Sequence, residues 1–567
     1  MASQYSIGLD FGTESVRVLV VDIKDGRIAG QAVHNYDHGV IDQTLPGTNV
    51  QLPPDYALQD PQDWLTSLGI ACHQAIAQAQ ITPDQVIGIG VDFTSCTMLP
   101  CLRDGTPLCC LDQFRGTPLA WPKLWKHHGA KAEVDRINEI ARKRKEKWLA
   151  RYGGIIGIEW FFPKVLETLN HAPEVYDAAQ VWIEGGDWLV WQLVAAEKGT
   201  GAVSPPRFPD SPIPRFPVSP RSTCQAGYKA MWNAHTGYPS REYFRAVHPR
   251  MANVVTEKMP GTLLSPGQQA GTLAPAMADL LGLRPGIPVS AAIIDAHAGV
   301  PGAGVASPST IVLVMGTSSC HMMNSRIEKL VPGIAGVVEG GILPNFFGYE
   351  TGQASVGDSF AWVAKLLNIS HQELNERAAQ LPPGSGGVLA LDWLNGCRTP
   401  LMDGRLSGSF TGITLSTRPE QLYRAMMEAT AFGVRWIVET LRDGGVPVRE
   451  FVASGGLPAK SPLLMQIYSD VLSATIKLPE TDQSVALGAA ILGCIAAGSQ
   501  TTGYRTIADA IHAMSRLRTD QQYQPNPKAK KQYDRLYALY RDLADPKGRL
   551  TAAMRDLRAF STPFPPG

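Results

Sequence analysis

Two distant stretches of this sequence repeat one pattern. Ile7-Gly-Leu-Asp-Phe-Gly-Thr-Glu-Ser15 and Ile311-Val-Leu-Val-Met-Gly-Thr-Ser-Ser-Cys320 each run an apolar strand into Gly-Thr and then small hydroxyl residues. Such a repeat implies two related halves. Around the first copy, Tyr5 to Asp22 reads as two strands joined at the glycine turn, and Lys24-Asp25-Gly26-Arg27 as a hairpin turn. Asp60-Pro61 opens a helix to Ala79, with Trp64, Leu65, Leu68, Ala71, Ala75 and Ile76 at helical spacing, and Val86 to Val91 is a buried strand. Strand, hairpin, helix, strand is an α/β order that calls for a sheet covered by helices. Pro and Gly interrupt the periodicity at Leu283 to Val289, which divides the chain into an N-terminal lobe, residues 1–288, and a C-terminal lobe, residues 289–567. A cleft between lobes is the expected site.

Composition narrows the class. With 567 residues, 44% hydrophobic and 18% charged, the chain can bury large cores and is not globally disordered. Its 51 basic and 51 acidic residues cancel, so neither nucleic acid nor a membrane surface is an expected partner. The most apolar later stretch, Val289 to Met315, is broken by Asp295, His297 and several Gly and Pro, which argues against a membrane span. Nine cysteines without a CxxC, the only close pair being the adjacent Cys109 and Cys110, indicate a reducing, cytoplasmic compartment. MASQYSIGLD lacks a basic region followed by a long apolar one, so no signal peptide is expected. Lys131 to Leu149 is helical and charged, and with zero net charge it reads as a solvated face. The Pro-rich segment Ser204 to Pro220 reads as a loop or disordered insertion without an assigned role.

Three motifs carry chemistry. In Asp10-Phe-Gly-Thr-Glu-Ser15 a strand delivers a carboxylate and then turns through residues whose N–H groups can face phosphate oxygens. Paired with Met315-Gly-Thr-Ser-Ser319, it becomes a two-sided phosphate clamp. Val452 to Leu457 is a strand ending in Gly455-Gly456, where a flat or anionic ligand such as adenosine can approach the backbone, and Ser461-Pro462 then opens a helix. Asp295, at the end of the apolar run Ala291 to Ile294, is placed either to act as a base in a cleft or to cap the turn that follows. His297 could be imagined as half of a zinc site, but no second ligand pair has suitable spacing, so it reads as a turn or supporting histidine.

These three elements in this order resemble the nucleotide site of the hexokinase and actin superfamily, and more closely the FGGY carbohydrate kinases. The C-terminal signature of that family is matched by Gly408-Ser-Phe-Thr-Gly-Ile413, a seven-residue spacer, and Gln421-Leu-Tyr-Arg-Ala-Met-Met-Glu428. Val91 to Thr97, Lys123 to His128, Tyr152-Gly153-Gly154 with Glu159 to Lys164, and Ala226-Gly-Tyr-Lys229 resemble the members that phosphorylate L-ribulose. The likeness runs from about Tyr5 to about Gly498, outside the Pro-rich insertion.

The resemblance implies two actin-like, ribonuclease H-like lobes, the first sugar-binding and the second nucleotide-binding with a helical C-terminal region. It implies a kinase that uses ATP and Mg²⁺ to phosphorylate the terminal hydroxyl of a ketopentose, L-ribulose to L-ribulose 5-phosphate in arabinose catabolism. Another pentulose or polyol, and a sugar-independent actin-like ATPase, are the alternatives. It assigns Asp295 as catalytic base, with Ser95, Cys96, Lys229, Asp295 and Glu350 as sugar contacts and Asp10 as metal ligand. Gly12, Thr13, Glu14, Arg17, Gly316, Thr317, Ser318, Gly455, Gly456, Lys460 and Ser461 are the nucleotide contacts. The partners are then a small sugar and ATP, with a homodimer left open. Two departures stand out: Lys460-Ser461 replace the asparagine that many relatives carry near adenine, and Cys109 to Gly116 leave the pattern at one wall of the sugar pocket.

Overall fold

The computed structural model describes residues 3–194 and 219–560, so the Pro-rich segment from Ser204 to Val218 lies outside the described residues. The first half builds β1 (Tyr5–Phe11), β2 (Ser15–Asp22), β3 (Ile28–Asn35), helix α1 (Pro61–Ala79) and β4 (Val86–Phe93). Asp60 caps α1 by accepting from the Gln62 N–H. Helices α2 (Phe161–His171) and α3 (Thr223–Lys229) follow, then β5 (Gln269–Thr272), β6 (Pro288–Ser290), β7 (Ile293–Ile294) and α4 (Asp295–Gly302). The sheet order is β3-β2-β1-β4-β6-β5, with β7 also on β4. β1, β2 and β3 form an antiparallel meander, while β4 runs parallel to β1, and β6 and β7 run parallel to β4.

The second half repeats the scheme with β8 (Thr310–Met315), β9 (Ser319–Ser325), β10 (Gly336–Glu339), β11 (Phe347–Gln353), helix α5 (Pro419–Asp443), β12 (Glu450–Ser454), β13 (Ile476–Pro479), helix α6 (Ser484–Ala496) and β14 (Leu517–Tyr523). Its order is β10-β11-β9-β8-β12-β13-β14. Again an antiparallel meander, β8-β9-β11, precedes parallel strands, β12 and β13. The repeat read from the two Gly-Thr turns is thus a repeat of sheet topology.

Both faces of β1 are buried, and its side chains alternate between two partners. Ile7, Leu9 and Phe11 share a core with Trp64, Leu68, Ala71 and Ala75 of α1. The alternate residues of β1 meet α6, which comes from the other half of the chain. A methyl group on Gly8 would lie 2.0 Å from the Ala486 carbonyl oxygen, one on Gly90 1.8 Å from that of Ala489, and one on Gly88 2.1 Å from that of Gly493. Ser6 Oγ donates to the Ala490 carbonyl at 2.7 Å. The helix backbone therefore rests on the strand backbone, a contact only glycine permits. α4 crosses α6 in the same way, through Gly302 and Gly488.

The junction expected at residue 288 needs correction. β6 and β7 belong to the first sheet, which therefore runs to Ile294, because the apolar run Val289 to Ile294 pairs with β4. The charged segment forms a helix only over Lys131–Lys143 and then a 3₁₀ segment, Lys147–Tyr152. Arg142 to Lys145 are exposed, as a solvated face requires. All nine cysteines are free thiols. Among the described residues no single helix is long and apolar enough to cross a membrane.

Candidate active site

Three adjacent parallel strands bring three carboxylates to their C-terminal ends. Asp10 of β1 lies opposite Asp92 of β4, while Ile293 pairs with Asp92 and Ile294 with Phe93, so Asp295 follows immediately after. The C-terminal edge of parallel strands is where open α/β sheets bind ligands. The sequence reading named Asp10 and Asp295 and missed a role for Asp92. The signal was present, because Leu9-Asp10-Phe11 and Val91-Asp92-Phe93 share one pattern, and their phenylalanine rings stack at 5.2 Å.

Burial raises the pKa of all three. Asp10 is pushed up by burial, against the pull of Arg17 at 2.8 Å. Asp92 is pushed well up by burial and then by the charges of Asp10 and Asp295. Both Asp92 side-chain oxygens are buried without a hydrogen-bond partner among the described residues. Asp295 is raised to about 7 by burial, opposed by the Ala296 N–H at 2.6 Å and reinforced by Asp10. Two neighbouring carboxylates, one with unpartnered oxygens, suit a hard divalent cation. A carboxylate titrating near 7 suits a general base.

The two repeated turns are built alike. The Gly12 N–H donates to Ser15 O at 2.9 Å, and the Gly316 N–H donates to Ser318 O at 2.9 Å. Among the described residues none accepts from the N–H groups of Thr13, Glu14, Thr317 or Ser318. Such free donors at two turn tips are what a phosphate chain requires. The Thr13 hydroxyl accepts from the Trp125 indole at 3.0 Å. Arg17 reaches Asp10, which puts its charge beside the carboxylate pair.

Gly455 brings the diglycine turn to the same place. Its φ is +100°, and a methyl group there would lie 2.5 Å from the Met315 carbonyl oxygen, at the foot of the second turn. Gly456 faces open space, and Lys460 is exposed. The Ser461 hydroxyl accepts from the Leu464 N–H at the start of helix Pro462–Leu472 and donates to Asn375 Oδ1 at 3.0 Å. It is thus a helix cap, the role its Ser-Pro context suggests.

The halves also meet through an ion pair. α3 lies on β10, where Gly227 leaves room for Val338. This delivers Lys229 to Glu350 of β11, with Nζ donating to both oxygens at 2.8 and 2.9 Å. Arg398, which the sequence reading missed, also pairs with Glu350. Lys229 and Arg398 hold the Glu350 carboxyl down at about 2, although burial alone would raise it. His297 lies 3.6 Å from Glu350 and packs on Tyr228, so it is a supporting residue, and burial lowers its pKa to about 3. Cys96 is buried, its thiol pushed up to about 12 by burial against the pull of the Lys229 charge, and Ser95 is half-buried in the same turn. Cys109, by contrast, packs with Ile41, Leu45, Leu58 and Trp121 in a core.

The C-terminal signature proves architectural. Gln421 caps the start of α5, and buried Glu428 binds Arg424, the Gly384 N–H and the Tyr533 hydroxyl.

Residues 5–202 match the N-terminal domain and residues 311–497 the C-terminal domain of the FGGY family of carbohydrate kinases. The chain is 43% identical to the ribulokinase of Halalkalibacterium halodurans, covering 99% of this chain and 98% of that protein. It is 44% identical to the ribulokinase of Mycolicibacterium smegmatis, with 99% and 97% covered. Its fold matches a gluconate kinase from Lactobacillus acidophilus at TM-score 0.77 and 19% identity, covering 99% of this chain and 100% of that one. It also matches a xylulose kinase from Rhodospirillum rubrum at TM-score 0.73 and 23% identity, with 98% and 99% covered. With both domains matched and such relatives along nearly its whole length, the chain belongs to the FGGY family of carbohydrate kinases.

Proposed function

We propose that this kinase transfers the γ-phosphoryl group of ATP to the terminal hydroxyl of L-ribulose, giving L-ribulose 5-phosphate and ADP. The observation that carries the reading is the position of Asp295. It follows directly on β7 at the strand ends that carry Asp10 and Asp92, and its carboxylate feels the charges of Asp10, Lys229 and Glu350.

In this scheme the sugar lies against Lys229, Glu350 and the Ser95–Cys96 turn, which pair its hydroxyls in a site closed to water. Asp295 takes the proton of the terminal hydroxyl as that oxygen attacks the γ-phosphorus. The bond to the β-phosphate oxygen breaks and ADP leaves. The free N–H groups of the two turns hold the phosphate oxygens, and the diglycine turn lies open to the adenosine. Asp10 and Asp92 would hold Mg²⁺, which supplies charge neutralisation to the phosphates.

The test is ADP release with Mg·ATP, without sugar and then with L-ribulose, D-ribulose, L-xylulose, D-xylulose or glycerol. Strong stimulation by L-ribulose supports the reading, and stimulation by another sugar alone moves the substrate. Sugar-independent turnover, or none, overturns it.

A further inference from the structure

Helix α2 contributes a lysine that the phosphoryl-transfer scheme does not use. Lys164 is fully buried, and its ammonium donates to the main-chain carbonyls of Cys96 at 2.6 Å, Leu124 at 2.8 Å and Lys123 at 3.4 Å. Among the described residues, none of its hydrogen bonds goes to a carboxylate. A buried ammonium is costly, and a methionine of similar length would fill the space without that cost. What the lysine adds is several donors at one point, joining the tip of β4 to the segment Lys123–Leu124.

The first of those carbonyls belongs to an unusual residue. Cys96 has φ +59°, a left-handed conformation that a residue with a side chain keeps only when its surroundings enforce it. The other bonds on this turn lie at its ends. Thr94 N–H donates to Phe11 O at 3.1 Å, the Thr94 and Thr97 hydroxyls are 2.9 Å apart, and Gly185 N–H donates to Thr97 O at 2.6 Å. The bond from Lys164 is the one that grips the apex. That apex faces the proposed sugar side: Cys96 belongs to one core with Trp160, whose ring lies 5.6 Å from the Lys229 ammonium, and its thiol feels that charge.

We propose that Lys164 is a positioning residue for sugar binding, holding the Ser95–Cys96 turn in the conformation that meets the pentulose. The inference rests on the function proposed above. It differs from a general stabilising role because its effect is confined to one substrate.

The test is Lys164→Met in the full-length enzyme, titrating L-ribulose and Mg·ATP separately. The expected result is a rise of about tenfold or more in the sugar KM, with the ATP KM within about twofold and kcat at saturating sugar within about threefold of the parent. Lys164→Gln, which keeps an amide donor, is expected to recover part of the sugar KM. It carries the same comparison if Lys164→Met does not fold. A folded variant with an unchanged sugar KM, or with both KM values raised together, overturns the proposal. Parent enzyme that responds to no pentulose overturns the functional reading as well, and that result is read without any variant.

Discussion

Lys229 and Glu350 come from different halves of the chain and share two hydrogen bonds, at 2.8 and 2.9 Å, in a setting closed to solvent. Glu350→Gln leaves Lys229 and Arg398 buried beside a neutral amide. Breaking a buried pair by removing one partner costs about 3–5 kcal/mol, so urea unfolding should show a loss of that order. The parent carries a matching pH signature. Because the Glu350 carboxyl is held at about 2, below its ordinary 4.5, its contribution is full above pH 4.5 and is lost as pH falls toward 2. The variant should show a flatter stability profile across that window.

Asp295 must be ionised to accept a proton, and its carboxyl titrates at about 7. The kcat/KM for sugar is therefore expected to rise with pH through about 7 and level off above it. Asp295→Asn keeps the shape and removes the base, so kcat should fall by about 10²–10⁴-fold. ADP affinity, measured by calorimetry, should change little.

Asp92 is raised well above its ordinary range by burial and by its acidic neighbours, so protons compete with any cation that Asp10 and Asp92 hold. Added Mg²⁺ with ADP should stabilise the protein more at pH 8 than at pH 6 in thermal unfolding. Asp92→Asn should raise the Mg²⁺ concentration needed for half-maximal activity by at least about tenfold.

Gly90→Ala places a methyl group 1.8 Å from the Ala489 carbonyl oxygen of α6. Because the clash is backbone on backbone, a loss of about 3 kcal/mol in stability is expected. Sugar and ATP KM values of the folded fraction should hold.

The doubled architecture was legible because two Gly-Thr turns follow apolar strands at Ile7 and Ile311, a pattern set by local geometry alone. Asp10 and Asp295 were legible for the same reason, each being a carboxylate that ends an apolar run. Arg398 was not, since it lies in an irregular loop with no periodic context, and only folding brings it to Glu350. The reach of the first sheet to Ile294 was hidden as well. Local Pro and Gly at Leu283 to Val289 suggested a break, whereas pairing with β4 is a long-range fact. Nor does the sequence alone say why Gly8, Gly88 and Gly90 stand in buried strands, because the reason is the helix that rests on them.

That helix sets an order of events during synthesis. α6 covers one face of a sheet whose strands were made up to several hundred residues earlier, since β1 begins at Tyr5 and α6 at Ser484. A ribosome that has released the first half has delivered a sheet with one face bare, and that face stays open to solvent until the second half emerges. The first domain to be translated is therefore sealed only after most of the second has been made.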